Sequence, residues 1–181
     1  MTAPDTSPAP QKRLPRWLRW SLEGLAMVAV ALAIHLWQTR DTPRGPAPDF
    51  SGVLSDGQAT SLAQWRAQVP GKPLLVYFWA DWCAICKATR PSVETIAADW
   101  PVLTVAMDSG PPAQVARTLA ERGYRFPALA DPDGRISNRY GLPGVPAFVI
   151  IDPRGDIQAV SIGYTSEWSL RWRLWRAASA A

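Results

Sequence analysis

At 181 residues the chain has room for one ordinary domain and a short appendage. Hydrophobic residues make up 48%, enough for a packed core, which excludes a globally disordered chain. The formal charge of +4 forms no basic stripe: Lys12, Arg13, Arg16 and Arg19 crowd ahead of an apolar run and Arg171, Arg173 and Arg176 lie at the far end, so nucleic acid is not an expected partner.

Residues 1–16 are rich in Pro, Ser and basic residues, lack any apolar period, and read as a cytoplasmic tail. Residues 17–38 read as a transmembrane anchor, with an unbroken apolar stretch from Leu25 to Ile34. A helix needs about 20 residues to span hydrocarbon. The segment reaches that length with Arg19 and Glu23 near the interface, and Trp17, Trp20 and Trp37 then form belts at its two ends. Basic residues before the span, against Arg40 and Arg44 beside Asp41 after it, put the N-terminus in the cytoplasm. Ala31-Leu32-Ala33 also has the look of a cleavage box, so a cleaved signal is the main alternative and a buried core helix the bland one.

Residues 39–48 are a Pro-rich linker, and the domain is expected over 49–178. Ser51 to Ala59 carries Ser-Gly and Asp-Gly turn signals and predicts a small hairpin; Ser61 can cap a short helix through Gln68. Leu74–Trp79 is a continuous apolar run, as in a central strand buried on both faces. A helix follows, with Val93, Ile96, Ala97 and Trp100 at helical spacing. Val102–Met107 predicts a second buried strand, Pro112–Arg122 a helix stopped by Gly123, and Phe126–Ala130 a strand. Arg135–Tyr140 is a helical turn, Ala147–Ile151 and Ile157–Ile162 an antiparallel hairpin, and Ser166–Ala177 a last helix. On that helix Trp168, Trp172 and Trp175 share one face and Leu170 and Leu174 another, with Arg171, Arg173 and Arg176 between them; one face must cover the sheet and the other could touch membrane headgroups or a partner, and ordinary packing is expected of both. The order predicts an α/β fold with a mixed central sheet flanked by helices.

The chemistry sits at Cys83-Ala84-Ile85-Cys86, where a strand ends, a tight connection follows and a helix begins. Thiol–disulfide exchange needs one sulfur with thiolate character and a second close enough to resolve the mixed disulfide. The free N–H groups and dipole of a helix N-terminus favour an anion, which makes Cys83 the nucleophile and Cys86, one turn further in, the resolving cysteine. Lys87 adds a nearby charge or points into solvent. Trp79 and Trp82 would form an apolar collar, although Trp79 reads equally well as core. A zinc site needs further ligands, and the only histidine, His35, lies in the apolar run, so no metal site is expected. A two-coordinate Cu(I) site on the same pair is the competing reading. It usually brings Met or His, but Met27 and His35 are in the anchor and Met107 is in a predicted core strand.

FWADWCAICK, with Pro91 five residues after Cys86, resembles the thioredoxin superfamily, and Gly144-Val145-Pro146-Ala147-Phe148 resembles its second signature. The resemblance implies a thioredoxin-like fold, a cis Pro146 beside the dithiol, and a Val145 backbone free to pair with an extended substrate. Pro48-Asp49-Phe50, the Asp-Gly then Ser-Leu before the first core strand, and FPALADPDGRISNRYGLPGVPAFVIIDPRGDI are similar to the TlpA-like, membrane-anchored branch over about 49–178. Within that branch the chain most resembles the suppressor for copper sensitivity protein D type.

Three positions depart from family patterns: the buried acid of thioredoxin falls at Tyr77, an acid common in cytochrome-maturation members is Thr89, and the dipeptide between the cysteines is Ala84-Ile85. Tyr77 is then either a hydrogen-bonding substitute or core filler.

The resulting expectation is a protein-disulfide oxidoreductase, single-pass in the inner membrane with its catalytic domain periplasmic. Its only redox group would be the Cys83–Cys86 disulfide, with no other cofactor. Its partners would be extracytoplasmic client proteins bearing thiols or disulfides, a transmembrane thiol-electron carrier, and the membrane through 17–38. Copper-stress and cytochrome-maturation clients are both compatible with these residues.

Overall fold

The computed structural model describes residues 15–38, 43 and 45–179, the side chains of His35 and Gln38 aside. Most of the expected cytoplasmic tail, and residues 39–42 and 44 of the linker, lie outside the described residues. The chain divides into two units, Met1–Trp37 and Gln38–Ala181.

The first unit is a helix, α1 (Arg16–Gln38). Its mean hydropathy of 1.5 over Arg16–Ile34 makes it long and apolar enough to cross a membrane. Its 23 residues rise about 34 Å, slightly more than a hydrocarbon core.

The second unit is built on a six-stranded sheet. In chain order its elements are β1 (Gly45–Pro46), β2 (Ser51–Val53), β3 (Ala59–Ser61), α2 (Leu62–Ala67), β4 (Leu74–Trp79), α3 (Ala84–Ala97), β5 (Val102–Met107), α4 (Pro112–Arg122), β6 (Ala128–Asp131), α5 (Arg135–Arg139), β7 (Ala147–Ile151), β8 (Asp156–Ile162) and α6 (Glu167–Ala178). The main sheet runs β1-β8-β7-β4-β5-β6, while β2 and β3 form a separate hairpin. β4, β5 and β6 are mutually parallel, β7 runs antiparallel to β4, and β8 runs antiparallel to β7. This is the mixed sheet that the element order predicts.

Alternation along β4 organises the interior. Leu75, Tyr77 and Trp79 face one layer with Val93 and Ile96 of α3, Val115 and Leu119 of α4, and Leu170 and Leu174 of α6. Leu74, Val76 and Phe78 face the other, with Phe50, Leu62, Ile136 and Tyr140. Every buried residue of both clusters lies between 50 and 177, so this unit carries a complete core of its own without α1.

Local chemistry accounts for the boundaries. Ser61 accepts from the N–H of Gln64 and Ser166 from that of Ser169, each as an N-cap. Gly123 ends α4 in the left-handed conformation, at φ 63°. Besides shifts of a residue or two at other element ends, two departures from the expectation have a visible local cause. β6 starts at Ala128 rather than Phe126, because Pro127 has no N–H and its carbonyl is taken by the Thr104 hydroxyl at 2.7 Å. Gly45–Pro46, within the stretch read as linker, adds an edge strand by pairing with Asp156 and Ile157 of β8.

α6 departs most from expectation. Leu170, Leu174 and Ala177 are buried against α3, β7 and β8, whereas Trp168, Trp172 and Trp175 are 78%, 49% and 61% exposed. Only one of its two apolar faces packs.

Candidate redox site

β4 delivers the chain to the site and α3 carries it away. Between them, the connection Ala80–Cys83 is held by groups distant in sequence. The Asp81 N–H donates to the Ser109 hydroxyl at 3.0 Å, and the Arg122 guanidinium donates to the Asp81 carbonyl at 2.6 Å. The Trp82 indole N–H donates to the Asp108 carbonyl at 3.3 Å, and Asp108 takes a positive φ of 45°. Ser109 and Arg122 were not anticipated as site residues. The only signal was the turn-like Asp108-Ser109-Gly110 after a strand, and nothing in the sequence places Arg122 opposite Asp81.

Cys83 and Cys86 are joined as a disulfide, with their Cα atoms 5.3 Å apart. Cys83 is the N-cap of α3, and its sulfur accepts from the Cys86 N–H at 3.0 Å. That N–H, with the dipole behind it, stabilises negative charge on Cys83 rather than on Cys86. The Val145–Pro146 peptide bond is cis. It brings the Val145 carbonyl oxygen to 3.7 Å from the Cys83 sulfur. The Pro146 carbonyl accepts from the Gly163 N–H at 2.8 Å, which ties this loop to the end of β8.

The two tryptophans named together as a collar are in different places. Trp82 is 61% exposed beside the nucleophile, with Ile85 half exposed in the first turn of α3. Trp79 is 1% exposed, a core residue whose indole N–H donates to the Thr104 hydroxyl at 3.2 Å. Lys87 is exposed.

Beneath the pair, the Tyr77 hydroxyl lies 3.1 Å from the Thr89 hydroxyl and 3.4 Å from the Cys86 carbonyl oxygen. The Thr89 hydroxyl donates to the same carbonyl at 3.1 Å. Burial pushes the Tyr77 phenol up to about 12, so the group under Cys86 is a neutral hydroxyl. Among the described residues, no group of three or more His, Cys, Asp or Glu gathers as a metal site.

Residues 43–160 match the model of the AhpC/TSA family. A thioredoxin-like protein of Haemophilus influenzae is 36% identical over 104 residues, which are 57% of this chain and 62% of that protein, so the match spans less than two thirds of that relative. Soluble secreted antigen MPT53 of Mycobacterium tuberculosis is 31% identical over 138 residues, 70% of this chain and 74% of that protein. Thiol-disulfide oxidoreductase ResA of Halalkalibacterium halodurans is 25% identical over 164 residues, 86% and 91% of the two chains. Among solved structures, a Chlorobium tepidum protein assigned as the thiol:disulfide interchange protein DsbE superposes with a TM-score of 0.67 at 23% identity, covering 76% of this chain and 99% of that one, and shares the fold. A secreted Mycobacterium tuberculosis disulfide oxidoreductase homologous to Escherichia coli DsbE superposes at 0.57 with 26% identity, covering 73% and 96%. The chain belongs to the AhpC/TSA family, as a thioredoxin-like member whose relatives and structural neighbours are thiol–disulfide oxidoreductases.

Proposed function

We propose that the protein is a thiol–disulfide oxidoreductase that acts on protein clients outside the cytoplasm, held at the inner membrane by α1. The observation that carries the chemistry is the 3.0 Å bond from the Cys86 N–H to the Cys83 sulfur at the start of α3. In the reduced protein the Cys83 thiolate attacks a client disulfide; the client S–S bond breaks and one client sulfur leaves as thiolate. The Cys86 thiolate then attacks the Cys83 sulfur of the mixed disulfide. The second client sulfur departs, and Cys83–Cys86 closes with two electrons passed to the client. A transmembrane thiol-electron carrier returns those two electrons, and no cofactor beyond the cysteine pair is needed. The Val145 backbone beside Cys83 suits strand-like pairing with an extended client segment. The secreted relatives and the apolar α1 support the compartment. Copper-stress and cytochrome-maturation proteins are the client classes to try first.

The test is client trapping. Cys86→Ala should accumulate DTT-sensitive adducts on non-reducing gels of extracytoplasmic extract, whereas Cys83→Ala should not. Absence in both, with stoichiometric Cu(I) uptake by the unaltered protein, would instead support copper binding by the same pair.

A further inference from the structure

We propose that the outer face of α6, formed by Trp168, Trp172 and Trp175 with Arg176 beside them, rests on an anionic lipid surface. This deepens the membrane-anchored reading above and uses that reading only for proximity.

The face gathers three of the four exposed tryptophans described in the second unit. Its three indoles stand at i, i+4 and i+7 and remain 78%, 49% and 61% exposed, while the opposite face of the same helix is fully buried. The charges separate in the same way. Arg171 is committed within the protein, to Glu167 at 2.8 Å and Asp99 at 2.6 Å. Among the described residues Arg176 has no carboxylate partner and stacks over the Trp172 ring, 4.9 Å from its centroid, while Arg173, on the flank toward Ala177, reaches the Ser169 hydroxyl. Indole rings with an adjoining uncompensated guanidinium suit the headgroup layer, where the ring body is apolar, its N–H is wet and the cation meets lipid phosphate.

The course of the chain brings a bilayer within reach of this face. β8 begins at Asp156–Ile157, where β1 pairs with it, and ends at Ile162, opposite Ala147 and the Pro146 loop. The chain therefore enters the domain at the end of the sheet away from the dithiol. α6 starts near the dithiol and runs back: Arg171 already contacts the Thr95 carbonyl and Asp99, at the far end of α3. Trp172, Trp175 and Arg176 lie beyond it, toward the end where the chain enters. From Gln38 to Gly45 the chain can extend at most about 25 Å. The redox pair, near the other end of an α6 about 18 Å long, stays available to clients.

The experiment is co-sedimentation of fragment 43–181, which holds the whole core, with vesicles of phosphatidylcholine with or without phosphatidylglycerol at low salt. Intact folding of each variant is checked by far-UV circular dichroism. The unaltered fragment should pellet only with anionic vesicles and should be released by salt. Arg176→Gln should weaken partitioning roughly fivefold, the effect of one charge at the surface. Trp168→Ser with Trp172→Ser and Trp175→Ser should abolish it. Failure of the unaltered fragment to pellet, or pelleting unchanged in either variant, overturns the proposal. So does a dimer of the unaltered fragment that ignores vesicles and is lost in the Trp variants, which would assign the face to a second copy. Carbonate extraction of the full chain reports on α1 alone, so loss of the anchor and loss of the face are distinguishable.

Discussion

The backbone N–H of Cys86 points at the sulfur of Cys83 from 3.0 Å. Exposure hardly separates the two sulfurs, at 6% for Cys83 and 3% for Cys86. Any large difference in their reactivity must therefore come from charge stabilisation. In the reduced protein at neutral pH, iodoacetamide should modify Cys83 at least ~10-fold faster than Cys86, the ratio given by one pKa unit of thiolate stabilisation. Peptide mapping of partially alkylated protein measures it. Equal rates would mean that the helix terminus does not tune Cys83.

Below the pair the ionisable group is a phenol. Tyr77 is pushed up to about 12 by burial, so it stays neutral throughout the range in which thiols titrate. The resolving step should then show one rise with pH, set by the Cys86 thiol, with the same shape in Tyr77→Phe. A second inflection in the unaltered protein that disappears in the variant would contradict this. Because Thr89 still donates to the Cys86 carbonyl, Tyr77→Phe should cost only about 0.5–1.5 kcal/mol in urea unfolding. A raised phenol favours the folded state while neutral, so that contribution is present below pH 10 and fades as pH rises through about 12.

Much of this site is legible in the chain, because its chemistry lies in contiguous residues: β4 as a run of apolar residues, then Cys83 and Cys86 at the first turn of α3. Pro146 was legible only through a resemblance, since no local pattern joins it to Cys83 across 62 residues. Side-chain direction was not legible. Trp79 and Trp82 stand three apart around a strand end; the pleat sends the first inward, and the connection held by Arg122 and Ser109 turns the second outward. The exposed face of α6 was an open alternative that the sequence could not decide, for a related reason: periodicity shows that a helix has two apolar faces, not how many of them the fold covers.

That separation of the tryptophans is itself testable. Trp79→Ala should cost about 3–5 kcal/mol through the cavity it leaves and the Thr104 hydroxyl it abandons. Trp82→Ala should cost under about 1 kcal/mol, since it loses surface contacts and one exposed hydrogen bond. Urea titrations of the two variants measure the difference. Comparable losses would mean that Trp82 is as deeply packed as Trp79.

Far from the dithiol, Asp152 organises the β7–β8 turn with a buried carboxylate. It accepts from the N–H groups of Gly155 at 2.8 Å and Asp156 at 2.9 Å, from Gln158 at 3.0 Å, and from Arg154. Burial alone would raise this acid, but the donated hydrogen bonds outweigh it and hold the carboxyl below its usual range. A depressed carboxylate stabilises the fold above its unfolded pKa, and that contribution is lost as pH falls through the folded value. Urea midpoints should therefore be flat near neutrality and decline below about pH 4. Asp152→Asn should lower the unfolding free energy at neutral pH by about 1–3 kcal/mol, because an amide cannot accept from all these donors, and should flatten the acid decline. β1 pairs with Asp156, so loosening this turn should also raise hydrogen exchange at Ile157 and Ala47, whose N–H donates to the Gly155 carbonyl. An Asp152→Asn protein with unchanged neutral stability and an undiminished acid decline would show that other carboxylates set the acid limit.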